Sequence, residues 1–151
     1  MAMVLGGYAP QNTTSNPGES LAGWIIENGN LSAEEKLSDI LGRIRLTDVF
    51  IKGVNAMDPQ GNVGVLVGDP LQSGTLGVIL SAWRKKKFNL IYPVGLEKLI
   101  PISISQATKE GKQVQYKYGM GLPTGLFPYP DGKTVTELDA IEILMALLQC
   151  L

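Results

Sequence analysis

The chain has 151 residues, enough for one domain with a real core and too few for two of ordinary size. Apolar residues make up 44% and charged residues 18%, a balance that speaks against disorder and leaves surface for other subunits to cover. The formal net charge is −1 and there is no histidine, so nothing draws the chain to nucleic acid or an anionic membrane, and histidine triads, most catalytic zinc sites and imidazole bases are excluded.

The opening "MAMVLGGYAP" lacks the basic region and long apolar core of a signal peptide, and no window reaches the ~18 apolar residues of a membrane span. A cytoplasmic location is expected. "MVLGG" predicts a strand, followed by a polar loop with two prolines. "LAGWIIENG" predicts a second strand, stopped at Asn28-Gly29. "LSAEEKLSDILGRI" predicts a helix capped by Ser32, with Glu35 three residues on and Leu37, Ile40, Leu41 and Ile44 on one face.

Val49–Ile51 and Val63–Val67 read as two strands around a turn-rich segment that carries Asn55, Asp58, Pro59, Gly61 and Asn62. Two readings stand side by side. Gly53–Asn62 is either the rim of a cleft at the carboxyl end of a strand, with Asn55 and Asp58 offering polar groups, or a hairpin-like connection that merely turns the chain. Gly61 and Asn62 suit the positive φ angles of a tight turn.

"VGDPLQSGTLG" leads into a helix with Leu76, Ile79, Leu80 and Trp83 at helical spacing. Ser73, Gly74 and Thr75 leave free N–H groups at its start, an anion site or a simple capping turn. Phosphate-loop and dinucleotide spacings are absent. "RKKK", Arg84–Lys87, falls at the helix end, where cations complement the dipole. "FNLIYPVG" is a continuous apolar run, expected of a strand buried on both faces. A helix pattern from Leu96 is broken or restarted at Pro101. "KQVQYKYG" alternates like an edge strand, and "LPTGLFPYPDGK" is a proline-rich loop with a short strand at Gly125–Phe127. The last helix has Thr136 and Asp139 in a capping arrangement and a stripe of Ile141, Leu144, Met145 and Leu148. It is apolar nearly all round, which predicts a homo-oligomer with this helix at the interface. Cys150, the single cysteine, excludes an internal disulfide, suits a reducing compartment and reads as an interface residue.

This alternation predicts an α/β fold: one domain over residues 1–151, a three-layer αβα sandwich with a mainly parallel, Rossmann-like sheet. The stretches "VFIKGVNAMDPQGNVGVLVG" and "SGTLGVILSAWRKKKFNLIYPVG", within Asp48–Lys98, resemble the superfamily of ribose-5-phosphate isomerases, glucosamine-6-phosphate deaminases and coenzyme A transferases. They are most similar to its translation-initiation-factor-2B and methylthioribose-1-phosphate isomerase branch and to the lactate-utilisation proteins. The resemblance implies the same sandwich. At the position of that branch's catalytic aspartate stands Asn55, and a carboxamide does not exchange protons near neutral pH. Its catalytic cysteine has no counterpart. "ENG" at Glu27–Gly29 is similar to the segment bearing the transferase nucleophile, with Ile26 in place of serine.

Three functions follow as expectations. The first is binding of a phosphorylated or anionic small metabolite (sugar phosphate, nucleotide or acyl-CoA) without turnover, at a site where Gly53, Asn55, Asp58, Gly61 and Asn62 meet Ser73, Gly74 and Thr75. Lys52 or Lys98 would add charge there. The second is an enzyme, a sugar-phosphate isomerase or transferase relative using Asp58 or Glu27. The third is an assembly subunit. No metal, cofactor, nucleic acid or membrane is expected.

Overall fold

The computed structural model describes residues 2–5, 23–32, 35–67, 74–113 and 125–148. In chain order the elements are β1 (Ala2–Leu5), β2 (Trp24–Glu27), β3 (Asn30–Ser32), α1 (Leu37–Arg43), β4 (Val49–Lys52), β5 (Ala56–Met57), β6 (Val63–Val67), α2 (Gly74–Lys86), β7 (Asn89–Pro93), a 3-10 turn (Leu96–Lys98), α3 (Ile104–Gln113), β8 (Gly125–Pro128), β9 (Lys133–Val135) and α4 (Glu137–Leu148). The α/β class expected from the sequence is present. Strand pairing is mixed: β1–β4 and β7–β9 are parallel, while β1–β2, β2–β3 and β5–β6 are antiparallel. The chain forms two compact units, Met1–Gly53 with Val67–Leu90, and Val54–Leu66 with Ile91–Leu151.

In the first unit the strands run in the order β3-β2-β1-β4, followed by the start of β7. Asn28 and Gly29 both hold positive φ, 51° and 82°, the two-residue turn whose twist matches a hairpin. That turn folds Asn30–Ser32 back onto β2 and pairs Ser32 with Ile25. Ser32 is therefore a strand residue and not a helix cap. Helix α1 starts later, at Leu37, with Lys36 before it and no side-chain cap. The expected apolar face of α1 is correct, since Leu37, Ile40, Leu41 and Ile44 are all buried. They share the unit with buried Ile25, Phe50, Ile79 and Phe88, and the rings of Phe50 and Phe88 lie 5.7 Å apart. The basic run closes α2, and Lys87 Nζ sits 3.9 Å above the Trp83 ring, a surface use of the charges.

In the second unit β6 pairs with β5 and β8. Val49–Ile51 and Val63–Val67 are strands, as read from the sequence, yet the hairpin partner of β6 is the two-residue β5, in register Ala56↔Gly64 and Met57↔Val63. From Ile91 onward β7 runs parallel to β9, Tyr92 opposite Thr134. The run Asn89–Val94 is not buried on both faces. Asn89 and Pro93 are exposed while Leu90, Tyr92 and Val94 are buried, so this strand buries alternate side chains. The helix expected from Leu96 is only a 3-10 turn, and α3 begins three residues after Pro101, consistent with proline's missing N–H and fixed φ. Helix α3 also takes in Lys112 and Gln113 of the expected edge strand; its remainder lies outside the described residues.

Candidate ligand cleft

The turn between β5 and β6 is organised by one carboxylate. Asp58 is 1% exposed. Its Oδ1 accepts from the Gln60 and Asn62 N–H groups at 3.1 and 2.9 Å and from Asn62 Nδ2 at 3.2 Å. Its Oδ2 accepts from Asn62 Nδ2 at 3.0 Å and from the Ile104 N–H, at the start of α3, at 3.1 Å. Backbone bonds from Asp58 N–H to the Asn62 carbonyl and from Gly61 N–H to the Asp58 carbonyl, both 2.9 Å, close the loop. Gly61 takes φ of 82°, where glycine alone is at ease. Burial pushes the Asp58 carboxyl upward, but the donors from Asn62, Ile104 and Gln60 outweigh it and hold the group below its ordinary range. A carboxylate so fully hydrogen-bonded is a structural hub, poorly placed to trade protons. The segment is thus a hydrogen-bonded turn closed around Asp58.

One face of that turn lines a cleft of about 180 Å³, together with residues of β7, β9 and the bend between β8 and β9. Gln60, Gly61, Asn62 and Val63 contribute from the turn, Tyr92 from β7, Thr134 from β9, and Tyr129 to Gly132 from the bend. The turn and β9 are tied together, because Thr134 Oγ1 donates to the Gly61 carbonyl at 2.8 Å. Tyr129 N–H donates to the Val63 carbonyl at 3.0 Å, which fixes the bend against β6.

The two tyrosines meet edge to face with centroids 5.3 Å apart. Tyr92 Oη donates to the Pro130 carbonyl at 2.7 Å. Tyr129 is 7% exposed and its buried hydroxyl has no partner. Burial is the main cause that raises both phenols above their ordinary range, so both stay protonated. An unpaired buried hydroxyl costs about 1–3 kcal/mol.

Of the residues singled out in the sequence, Gly61 and Asn62 line the cleft and Asp58 holds the turn behind them. Asn55 does something different: its Oδ1 accepts from the Leu66 N–H at 3.0 Å, along the β5–β6 hairpin. Gly53 follows β4 in the first unit. Gly74 and Thr75 open α2, also in the first unit, and Ser73 lies outside the described residues. Lys98 Nζ donates to the Val54 carbonyl at 3.0 Å, and Lys52, at the end of β4, has a depressed ammonium pKa from burial. Glu27 ends β2 on the surface, 3.4 Å from Arg43, which also meets Glu35 at 2.6 Å. The guanidinium lowers the Glu35 carboxyl below its usual range. Glu27, Arg43 and Glu35 thus form a charge array at the surface.

The residues missed are Tyr92, Tyr129, Asp131 and Thr134. A signal for Tyr129 and Asp131 was present in "FPYPDGK", where two prolines and Asp-Gly bend the chain around a tyrosine, while Tyr92 and Thr134 lie outside it. No group of three metal-ligating side chains occurs among the described residues, and no helix there is long and apolar enough to cross a membrane. No family model, curated protein or solved structure matches this chain.

Proposed function

We propose that this chain is a binding module for a small, neutral, hydroxyl-bearing molecule held in the cleft of the second unit, without turnover. The observation that carries the reading is a mostly polar cleft walled by two tyrosines, one of which, Tyr129, has a buried hydroxyl without a partner. The cleft lining also carries side chains that can accept a hydrogen bond: Asp131, Gln60, Thr134 and Tyr92, whose own proton is spent on Pro130. A polyol or unphosphorylated sugar supplies the donors that such a wall wants.

The lining's one charged side chain is acidic, so a phosphate gains nothing there. The cleft is also smaller than the roughly 300–1,000 Å³ of drug-sized pockets. A nucleotide or acyl-CoA would place no more than one end in it. The enzyme readings draw no support from Asp58 or Glu27, whose carboxylates are engaged by the turn and by Arg43. The three-layer sandwich, the single-domain organisation, the superfamily resemblance and a cytoplasmic location remain part of the proposal. Their support is the parallel β1–β4 pair, the helices in the sequence between strands and the chain's single cysteine.

Calorimetric titration with glycerol, ribose, glucose, ribose 5-phosphate and inorganic phosphate tests the reading. Binding of a neutral member, lost in Tyr129→Phe, is expected. Tyr129→Phe itself should leave the fold as stable or slightly more stable, because it removes an unpaired polar group. Phosphate-dependent binding that survives in Tyr129→Phe overturns the proposal, as does the absence of any binding from the whole panel.

A further inference from the structure

Helix α4 buries none of its residues. Leu138, Ile141, Leu144, Met145, Leu147 and Leu148 are each between 54% and 67% exposed. At 100° per residue its polar side chains Asp139 and Glu142 fall on one narrow strip, and apolar side chains occupy most of the remaining circumference. Exposed apolar side chains run the whole length of the helix, more apolar surface than a monomer ordinarily leaves bare in one place.

The helix is nonetheless firmly started. Thr136 N–H and Oγ1 donate to Asp139 Oδ2 at 2.8 and 2.6 Å, and Asp139 N–H returns to Thr136 Oγ1 at 3.4 Å. Glu137 accepts from the Leu96 N–H through both carboxylate oxygens, at 3.0 and 3.2 Å. The root is fixed and the shaft is bare. Twelve residues are marginal for an isolated helix, so a shaft this apolar needs a cover.

We propose that the cover is α4 of other copies of this chain, packed as an antiparallel helix bundle. Three features select this occupant. The apolar side chains extend along the full length of the helix, from Leu138 to Leu148, as packing against like helices requires. The helix carries no lysine or arginine, which removes attraction to anionic lipid and to an acidic partner. Asp139 of the first turn and Glu142 lie on one strip, so antiparallel copies can pack their apolar faces and leave both acids to solvent. An apolar arc this wide also exceeds what one partner helix covers, so more than two copies fit the bundle.

Sedimentation velocity of the full chain between 1 and 100 μM is the test, with vesicles of neutral phosphatidylcholine as a second arm. The wild type is expected at twice the chain mass or more, and Leu144→Glu at the chain mass with its circular dichroism retained. Ile141→Glu, on the same face, serves if Leu144→Glu fails to fold. A wild type that stays at the chain mass at 100 μM overturns the proposal. So does a folded variant of unchanged mass, or a single-copy species that floats with the vesicles.

Discussion

The four groups that donate to Asp58 come from three residues of its own turn and of α3: Gln60, Asn62 twice and Ile104. Asp58→Asn keeps one acceptor and turns an NH₂ toward groups that already donate. A loss of about 2–4 kcal/mol at pH 7 is expected from urea unfolding, the range for disrupting a buried, hydrogen-bonded charge. The pH dependence separates this from a packing defect. The folded Asp58 pKa is depressed, so its stabilisation is full above the unfolded value of about 3.9 and is lost as pH falls through the folded value. The wild type therefore loses part of its stability below about pH 4, a component that Asp58→Asn lacks. Two neighbouring glycines make different demands. Gly61→Ala strains a backbone at φ of 82° and should cost about 1 kcal/mol or more. At Gly64 an added Cβ would stand 2.9 Å from Leu126 Cγ, so Gly64→Ala should cost about 1–3 kcal/mol by overpacking β6 on β8. Thermal unfolding of both variants checks these values.

At the scale of elements, local chemistry was legible wherever it acts between near neighbours. The Thr136–Asp139 cap, the strand at Gly125, the extent of α2 and the apolar face of α1 all follow from spacing within about four residues. Thr136→Ala should cost about 1 kcal/mol, appearing as faster hydrogen exchange in the first turn of α4 while β6 keeps its protection. The misreadings share a cause. Asn28-Gly29 was recognised as a turn, yet its consequence, that Asn30–Ser32 must run back along β2, overrode the helix signal at Ser32. Strand β5 is two residues long and leaves no period to read. The cleft was partly legible: Gly61 and Asn62 were recognised by their turn chemistry. Tyr92 and Tyr129 were not, because residues 37 positions apart meet only through the parallel pairing of β7 with β9. Nothing local announces such a contact.

Across the molecule, the absence of histidine removes the one side chain that ordinarily titrates between pH 5 and 7. Urea midpoints should stay flat over that interval and fall only in acid, where Asp58 and Asp139, both depressed by their hydrogen bonds, become protonated. Ligand binding in the cleft should be equally flat there, since both phenols remain protonated. Two sites compete: the proposed cleft beside Tyr129, and the expected site where Gly53–Asn62 meets the start of α2 at Ser73–Thr75. Amide chemical-shift mapping of the full chain, during titration with the best neutral ligand of the calorimetric panel, decides between them. The account predicts shifts confined to the amides of Gln60–Val63, Tyr129 and Asp131–Thr134, absent in Tyr129→Phe. Shifts centred on Gly74–Gly77, with the cleft amides unmoved, would contradict it.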